Sequence, residues 1–288
     1  MSVRKAVILA AGHGTRFLPE TKTVPKEMLP LVDAPVIQYI VEEALAAGIQ
    51  QVIMVTASSK RAIEDHFDFN PDLEQALQEA GKEKALEDVR RLAGIDLVFV
   101  RQKERKGNGH AVLMARSIIG DEPFALYFPD DVIVSEVPAI KQLMDSYDRA
   151  GHSMVAVQEV EREQVTRYGV IDPEPADDPH LYRIKGIVEK PSVEEAPSNL
   201  ATVGRFVLSP RALGVLEETP PGRAGEIWLM DALHTLAQRE PVFGYQFEGE
   251  RFDTGHPLGL LQASISLGLR REDIGPALKE HLRGLSLG

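Results

Sequence analysis

The chain of 288 residues contains no cysteine, and this absence excludes a disulfide framework. Nothing therefore points to secretion, and we expect a cytoplasmic protein. Long apolar runs are also missing, because no stretch approaches the ~20 residues that span a bilayer. The basic, apolar start MSVRKAVILAAGHG runs into a glycine turn without a convincing cleavage site. We interpret it as a first strand, not as a signal peptide, and expect no membrane partner.

Positive charge is also in short supply. The chain has 32 Lys and Arg residues against 44 Asp and Glu residues, which gives a net charge of −12. An acidic chain of this kind is a poor general binder of nucleic acid, so we expect no nucleic-acid partner. Any phosphate that it binds must meet a local concentration of cations. The opening stretch offers one, in Arg16, Lys22 and Lys26.

The chain lacks internal repeats, low-complexity tracts and linkers, so we expect one domain over residues 1–288. Over about 1–150, short Val- and Ile-rich runs alternate with helical patterns. This alternation predicts an α/β fold with a Rossmann-like open, mostly parallel mixed sheet and helices on both faces. Over about 151–288 the pattern changes to a small β-meander and C-terminal helices. The predicted strands of the first half are Lys5–Ala11, Gln51–Thr56, Asp96–Arg101 and Phe124–Phe128.

The first turn lacks the third glycine of a dinucleotide-binding motif. Gly12-His13-Gly14 follows the first strand, but three prolines by residue 30 disfavour the helix that this motif requires. A phosphate loop is excluded because no Gly-Lys-Ser/Thr follows. We predict a glycine loop with exposed amides, followed by an extended arm in which Arg16 clamps phosphate oxygens and Lys26 adds a point charge. A tight turn with solvated cations is the alternative interpretation.

Three further clusters follow predicted strands. Asp130 and Asp131 are oxygen ligands suited to Mg²⁺, although a turn with a helix-capping aspartate is an alternative. Glu189 and Lys190 suit sugar hydroxyls and a phosphate, respectively, whereas a surface ion pair is the simpler explanation of the two residues alone. The amide of Gln102 has both a donor and an acceptor, which suits the imide edge of uracil.

Taken as whole strings, these motifs resemble the sugar-1-phosphate nucleotidylyltransferase family, and within it the bacterial UTP–glucose-1-phosphate uridylyltransferases. The resemblance covers nearly the whole chain. The strings that carry it are GHGTRFLP, TKTVPKEMLPLVDAPVIQYIVEEALAAGI, KGNGHAV, PDD, YGV, VEKP, APSNLATVGRFVLSP, TPPG and DTG. The resemblance implies a glycosyltransferase-A-like α/β fold.

The resemblance also implies a role for each site residue. The catalytic cations are Arg16, Lys26 and Lys190. The metal ligands for Mg²⁺ are Asp130 and Asp253, with Asp131 less certain. The nucleotide-binding residues are Ala11, Gly12, Gly14, Gln102 and Gly107. The sugar-binding residues are Gly169, Glu189, Lys190, Gly204 and Glu226.

The implied reaction converts UTP and glucose 1-phosphate into UDP-glucose and pyrophosphate, by in-line attack on the α-phosphorus. One alternative is an enzyme that uses dTTP or tolerates other sugars. A second is a non-catalytic nucleotide-sugar sensor, although a sensor need not retain both the cation clusters and the metal carboxylates. The family also suggests a homodimer or homotetramer.

The chain departs from the family pattern at one place. The usual Glu-Ile-Gln-Leu-Thr-Asp-Ala is here Glu-Ile-Trp-Leu-Met-Asp-Ala, from Glu226 to Ala232. Trp228 and Met230 thereby remove two polar groups beside the expected sugar site. Sugar selectivity or subunit assembly could differ as a result, or both side chains could simply be packed.

Overall fold

The computed structural model of the chain describes residues 2–286, and this part contains thirteen strands and eleven α-helices. The strands are β1 Lys5–Leu9, β2 Pro30–Leu31, β3 Ala34–Pro35, β4 Gln51–Thr56, β5 Leu97–Arg101, β6 Phe124–Tyr127, β7 Asp131–Val134, β8 Ser153–Glu159, β9 Gly169–Pro175, β10 Leu181–Glu189, β11 Leu200–Leu208, β12 Val242–Gln246 and β13 Glu250–Asp253. The helices are α1 Val36–Ala46, α2 Arg61–His66, α3 Pro71–Glu79, α4 Glu83–Ala93, α5 Asn108–Met114, α6 Arg116–Ile119, α7 Ala139–Ala150, α8 Arg211–Glu218, α9 Leu229–Arg239, α10 Pro257–Arg270 and α11 Gly275–Gly284.

Nine strands form one mixed sheet in the order β5-β4-β1-β6-β11-β8-β12-β10-β9. The first four are parallel to one another, as the alternation of apolar strands and helices predicts. Because β6 pairs with β11, the sheet continues from the first half of the chain into the second. Helices α1 and α7 pack on one face, and α5, α8 and α9 pack on the other.

The prediction of an open, mostly parallel sheet is wrong in its second half. Strand β11 runs antiparallel to β6, β8 and β9, and β10 runs antiparallel to β9 and β12. A single pairing between Ala201 and Val170 joins β11 to β9. This pairing closes β11, β8, β12, β10 and β9 into a five-stranded, barrel-like ring. The contacting residues are far apart in sequence, so local patterns carried no signal for the closure.

A separate two-stranded sheet, β7 with β13, lies at the edge of the future site. Its antiparallel register pairs Asp131 with Asp253. Asp130 immediately precedes β7, so this short ladder brings two acidic segments together that are more than 120 positions apart in the chain. Neither strand was predicted, because both are only four residues long.

The core has an apolar layer on each face of the sheet, and successive residues of β1 alternate between the layers. Ile8 packs in one layer and Val7 in the other. One charged side chain is fully buried between these elements: Arg205 of β11, paired with Glu43 of α1. Among residues 2–286 we find no helix with both the length and the apolar composition to cross a bilayer.

Candidate active site

A large cleft opens at the carboxyl ends of β1 and β6, where ligands bind in sheets of this kind. Its volume is about 1230 Å³. The cleft contains every predicted site residue except Gly14. Those residues are Ala11, Gly12, Arg16, Lys26, Gln102, Gly107, Asp130, Gly169, Glu189, Lys190, Gly204, Glu226 and Asp253.

Gly14 shapes the first loop from outside the cleft wall. Its φ of +69° lies in the left-handed region, and its carbonyl accepts a hydrogen bond from the Thr21 hydroxyl at 2.7 Å. The following segment is not the extended arm that the prolines suggested, because it folds into three short 3₁₀ turns. Arg16 lies in the first of them, exposed to the cleft, and donates to the Gly255 carbonyl at 3.4 Å.

Lys26 lies in the third turn, and its ammonium contacts the carboxylate of Asp130. Burial alone lowers the pKa of Lys26, but the negative charges of Asp130 and Glu27 outweigh burial and raise it above the usual lysine value. Lys26 therefore stays charged at neutral pH. The contact also shows that this cation reaches the predicted metal-binding carboxylate directly.

A buried ion pair lies beneath the third turn. Lys60 donates to Glu27 at 2.6 Å, and their side chains are only 3% and 1% exposed. Burial raises the pKa of Glu27 and lowers the pKa of Lys60, because removal from water disfavours the charged form of each. Glu27 follows Lys26 directly in the chain, so the pair fixes the backbone that carries the catalytic-site lysine.

The carboxylates of Asp130 and Asp253 both lie beside Gly255. An Oδ of each lies within about 3.2 Å of the position that a Cβ would take on Gly255. Asp253 also accepts from Arg167 at 3.0 Å, and its second oxygen accepts from the Gly255 amide. The two carboxylates provide oxygen ligands that suit Mg²⁺. No cluster of three or more His, Asp or Glu side chains suited to a metal occurs within residues 2–286, so further ligands would come from substrate phosphates or water.

Asp131 points away from this pair and is engaged within the protein. One carboxylate oxygen accepts from Arg251 Nε at 2.6 Å, and the other accepts from the Gly204 amide at 2.8 Å. The Asp131 carbonyl accepts from Arg205 at 2.7 Å. Asp131, the second carboxylate of the Pro-Asp-Asp motif, therefore has a structural role: its bonds connect β7 to β11.

The side of the cleft that is predicted to bind the nucleotide carries a short hydrogen-bonded chain. The buried amide of Gln102 donates to the Gly107 carbonyl at 3.0 Å and to Nδ1 of His110 at 3.1 Å. Burial lowers the pKa of His110, and nearby Lys106 lowers it further, so the imidazole stays neutral and accepts this bond. Across the loop, Arg105 donates to the Ala11 carbonyl at 3.0 Å.

On the side that is predicted to bind the sugar, other groups approach two glycines closely. A Cβ on Gly169 would lie 2.9 Å from the Thr202 hydroxyl and 3.1 Å from the Glu189 carboxylate. A Cβ on Gly204 would lie 2.7 Å from Asp131. A side chain at position 204 would also meet Phe128, whereas one at position 169 would meet only side-chain atoms. Burial raises the pKa of Glu189, although the adjacent Lys190 opposes the shift.

Trp228 and Met230, the departures from the family pattern, both lie in the cleft. The Lys190 ammonium stands 5.3 Å from the centre of the Trp228 ring, and the Thr202 hydroxyl contacts Met230 Sδ at 3.7 Å. Gly107 approaches the same segment so closely that a Cβ would lie 2.4 Å from the Ile227 carbonyl. The segment 226–230 thus touches both the sugar side and the nucleotide loop.

Sequence reasoning missed three cations of the cleft, Arg105, Arg167 and Arg251. Arg105 lies in the run Lys-Glu-Arg-Lys before the Gly-Asn-Gly turn, Arg167 directly precedes the Tyr-Gly-Val motif, and Arg251 lies two residues before the Asp-Thr-Gly motif. That proximity to motifs is the only signal that could have identified them. His13 is exposed at the cleft rim, and His256 lies 3.5 Å from Asp253.

Comparisons with known proteins identify the family of the chain. The sequence model of the nucleotidyl transferase family matches residues 5–268. The chain is 49% identical to the UTP–glucose-1-phosphate uridylyltransferase of Bacillus subtilis (strain 168). The aligned 284 residues cover 98% of this chain and 97% of the relative. Its fold is similar to a UDP-glucose pyrophosphorylase complexed with UDP-glucose, with a TM-score of 0.86 and 44% identity over 93% of this chain and 100% of that chain. It is also similar to a UTP-bound UGPase from Acinetobacter baumannii, with a TM-score of 0.92 and 38% identity over 99% of this chain and 100% of that chain. The chain belongs to the nucleotidyl transferase family.

Proposed function

We propose that the protein is an enzyme that transfers the uridylyl group of UTP to glucose 1-phosphate, giving UDP-glucose and pyrophosphate. The observation that carries the proposal is the convergence, in one cleft, of the cations Arg16, Lys26 and Lys190 with the carboxylates Asp130 and Asp253. A polyanionic pair of substrates requires this combination, because two negatively charged groups must approach each other. The chain as a whole has a net charge of −12, so the concentration of cations in this cleft is specific to the site.

The cofactor we propose is Mg²⁺, held by Asp130 and Asp253, whose carboxylates both lie beside Gly255. When bound, the ion would neutralise charge on the substrate phosphates. Members of this family generally depend on a divalent metal, and the all-oxygen ligand set favours Mg²⁺ over softer metals. Lys26 and Arg167 also contact these carboxylates, so each is already balanced by a cation of the chain.

In the reaction, an oxygen of the sugar phosphate forms a bond to the α-phosphorus of UTP, and the bond from this phosphorus to the β-phosphate oxygen breaks. The attacking oxygen is already anionic, so no strong general base is needed. The work of the protein is positioning and charge stabilisation. Lys190 would hold the attacking phosphate, and Arg16 and Lys26 would neutralise the triphosphate and the leaving pyrophosphate.

Each substrate would bind to its own side of the cleft. Gln102 and the backbone of Ala11 and Gly12 are the groups proposed for the uracil base, and Gly14 and Gly107 shape the loops around it. The sugar hydroxyls would bind near Gly169, Glu189, Gly204 and Glu226. The raised pKa of Glu189 suits a carboxylate whose hydrogen bonds are completed by ligand hydroxyls.

The proposal is tested by pyrophosphate release from UTP and glucose 1-phosphate with Mg²⁺, compared with dTTP and with galactose 1-phosphate. Release with UTP and glucose 1-phosphate at the highest kcat/KM supports the proposal. Faster turnover of dTTP or of another sugar phosphate would instead establish the broader nucleotidylyltransferase. No release from any pair, with UDP-glucose still bound, would establish a sensor.

A further inference from the structure

Lys190 carries the charge proposed for the sugar phosphate, yet few polar groups of the protein fix its side chain. The ammonium is 3.7 Å from Glu189 Oε1, and the side chain is 42% exposed. A lysine side chain has about 2 kcal/mol of rotamer entropy to lose when it is held in one position. A free lysine at this place would therefore bind phosphate weakly unless another group restricted it.

The main chain of Lys190 is itself well fixed. Its amide donates to the Tyr168 carbonyl at 2.9 Å, and its φ of +48° is in the left-handed region, unusual for a residue with a side chain. The remaining freedom lies in the side chain. The group that meets the end of that side chain is the indole of Trp228, whose centre is 5.3 Å from the ammonium.

The neighbours of Trp228 are held firmly on both sides. The Ile227 amide donates to the Lys106 carbonyl at 2.8 Å, and the Ile227 carbonyl accepts from the Gly109 amide at 2.9 Å. On the other side, the Leu229 amide donates to the Asn108 side chain at 2.8 Å. These bonds attach the backbone on both sides of Trp228 to the end of the loop after β5 and to the start of α5, so the ring has a fixed support.

We propose that Trp228 is the positioning residue for Lys190, and that its indole face holds the ammonium where the phosphate of glucose 1-phosphate binds. This inference rests on the proposed function. An aromatic face suits the task better than a carboxylate would. It attracts the cation without neutralising it, so the positive charge and the three donors stay available to the phosphate.

Steady-state kinetics of Trp228→Leu and Trp228→Phe test the proposal. We expect Trp228→Leu to raise the KM for glucose 1-phosphate about three- to tenfold at saturating UTP, the range of a moderate cation–π contact. The KM for UTP should be unchanged. Trp228→Phe keeps an aromatic face and should recover most of the loss. Equal damage in both variants, an equal rise in the KM for UTP, or no effect of Trp228→Leu would overturn the proposal.

A second measurement uses the fact that Trp228 is the only tryptophan of the chain. Its emission reports this one position, so Lys190→Met should change the spectrum of the free protein, and glucose 1-phosphate should change it in the wild type but much less in Lys190→Met. Identical spectra for wild type and Lys190→Met would overturn the contact even if a Trp228 variant failed to fold. An emission response without pyrophosphate release would overturn the proposed reaction and leave the contact intact.

Discussion

At the scale of single residues, the cations of the cleft differ in how tightly other groups of the protein hold their side chains. Lys26 is tied to Asp130, whereas Arg16 is exposed and makes one long bond to a backbone carbonyl. In the proposed reaction, Arg16 would therefore be able to follow the charge that develops on the leaving pyrophosphate. Lys26 has less freedom, and its own removal would also leave Asp130 without its partner. For this reason Arg16 offers the cleaner test of transition-state stabilisation.

We predict that Arg16→Ala lowers kcat roughly 100-fold, the effect expected on removing one donor to developing charge, while the KM for glucose 1-phosphate changes little. Initial rates of pyrophosphate release at varied glucose 1-phosphate measure both constants. Lys22→Ala is a suitable control, since Lys22 is an exposed cation of the same segment outside the cleft lining. A large rise in KM with an unchanged kcat would contradict the role given to Arg16.

The neutral imidazole of His110 gives a pH-dependent prediction for UTP binding. Its pKa is lowered from 6.5 by burial, so the bond from Gln102 is intact above pH 6.5 and is lost as the pH falls through the lower folded value. Protonation turns the acceptor nitrogen into a donor, and Gln102 must then reorient. We expect the KM for UTP to rise in acid. UTP itself also titrates, and this part of the rise should remain in His110→Gln. The rest of the rise should be absent from this variant, because the Gln side chain keeps an acceptor and does not titrate. The same rise of the KM for UTP in both proteins would contradict the role given to His110.

Residue types in motifs allowed most of the cleft to be predicted. All the predicted side-chain ligands line it. Gln102 and Asp130 follow β5 and β6, and Glu189 ends β10, whereas Lys26 lies in a 3₁₀ turn and Glu226 in the loop before α9. The true environment of Asp131 could not be predicted, since its partners Arg251 and Gly204 are distant in sequence. The reason for glycine at position 107 was likewise hidden, because the obstacle is the backbone of Ile227.

At the scale of elements, the third 3₁₀ turn depends on the buried pair of Glu27 and Lys60. A buried charge that loses its partner is far more costly than the loss of both charges together. We predict that Glu27→Gln and Lys60→Met each lower the free energy of unfolding by about 3–5 kcal/mol, and that the double variant loses less than the sum. Urea unfolding of the four proteins measures these changes. Additive losses would mean that the two charges do not stabilise each other.

A second prediction at this scale concerns the contact between the loop that contains Gly107 and the segment 226–230. In Gly107→Ala, the new Cβ would lie 2.4 Å from the Ile227 carbonyl at a φ of +94°. We predict weaker binding of both UTP and glucose 1-phosphate, because the loop and Trp228 must move apart. Gly120→Ala is the matched control, since Gly120 also has a positive φ, +67°, but nothing within 4 Å of the new atom. Equal KM values in Gly107→Ala and Gly120→Ala would show that the contact with Ile227 does not affect substrate binding beyond the strain of a positive φ.

The sequence predicts the boundaries of helices and strands well where a segment is long and its apolar residues recur at a regular spacing, and less well elsewhere. The second predicted strand agrees with β4, Gln51–Thr56, at both ends. The apolar spacing of PVIQYIVEEALAA predicts a helix over Pro35–Ala47, and α1 is one residue shorter at each end. The charged stretch Pro71–Leu92 also has a helical pattern, but it forms two helices, α3 and α4. Short elements such as β7 and β13 depend on tertiary pairing and gave no periodic signal.

At the scale of the whole molecule, the two halves share one sheet and one cleft. The parallel strands supply the nucleotide loops, and the barrel-like ring supplies Gly169, Glu189 and Gly204. We therefore still expect a single domain over 1–288, in a homodimer or homotetramer. Helix α10 exposes Leu258 and Leu261, which are 60% and 58% accessible in the single chain. Light scattering of the purified protein would determine the number of subunits.

A shared sheet has a consequence for unfolding. If β6 and β11 lose their pairing only when the whole sheet opens, the two halves should unfold together. Trp228 belongs to the second half, and its emission reports one local environment, whereas far-UV circular dichroism reports helices and strands of both halves. We predict coincident thermal midpoints for the two signals. UDP-glucose at about 100 times its Kd should stabilise the protein by about 2.7 kcal/mol and shift both midpoints together, because the proposed binding site is built from both halves. Separate midpoints, or a shift of the emission signal alone, would show that the halves unfold as independent units.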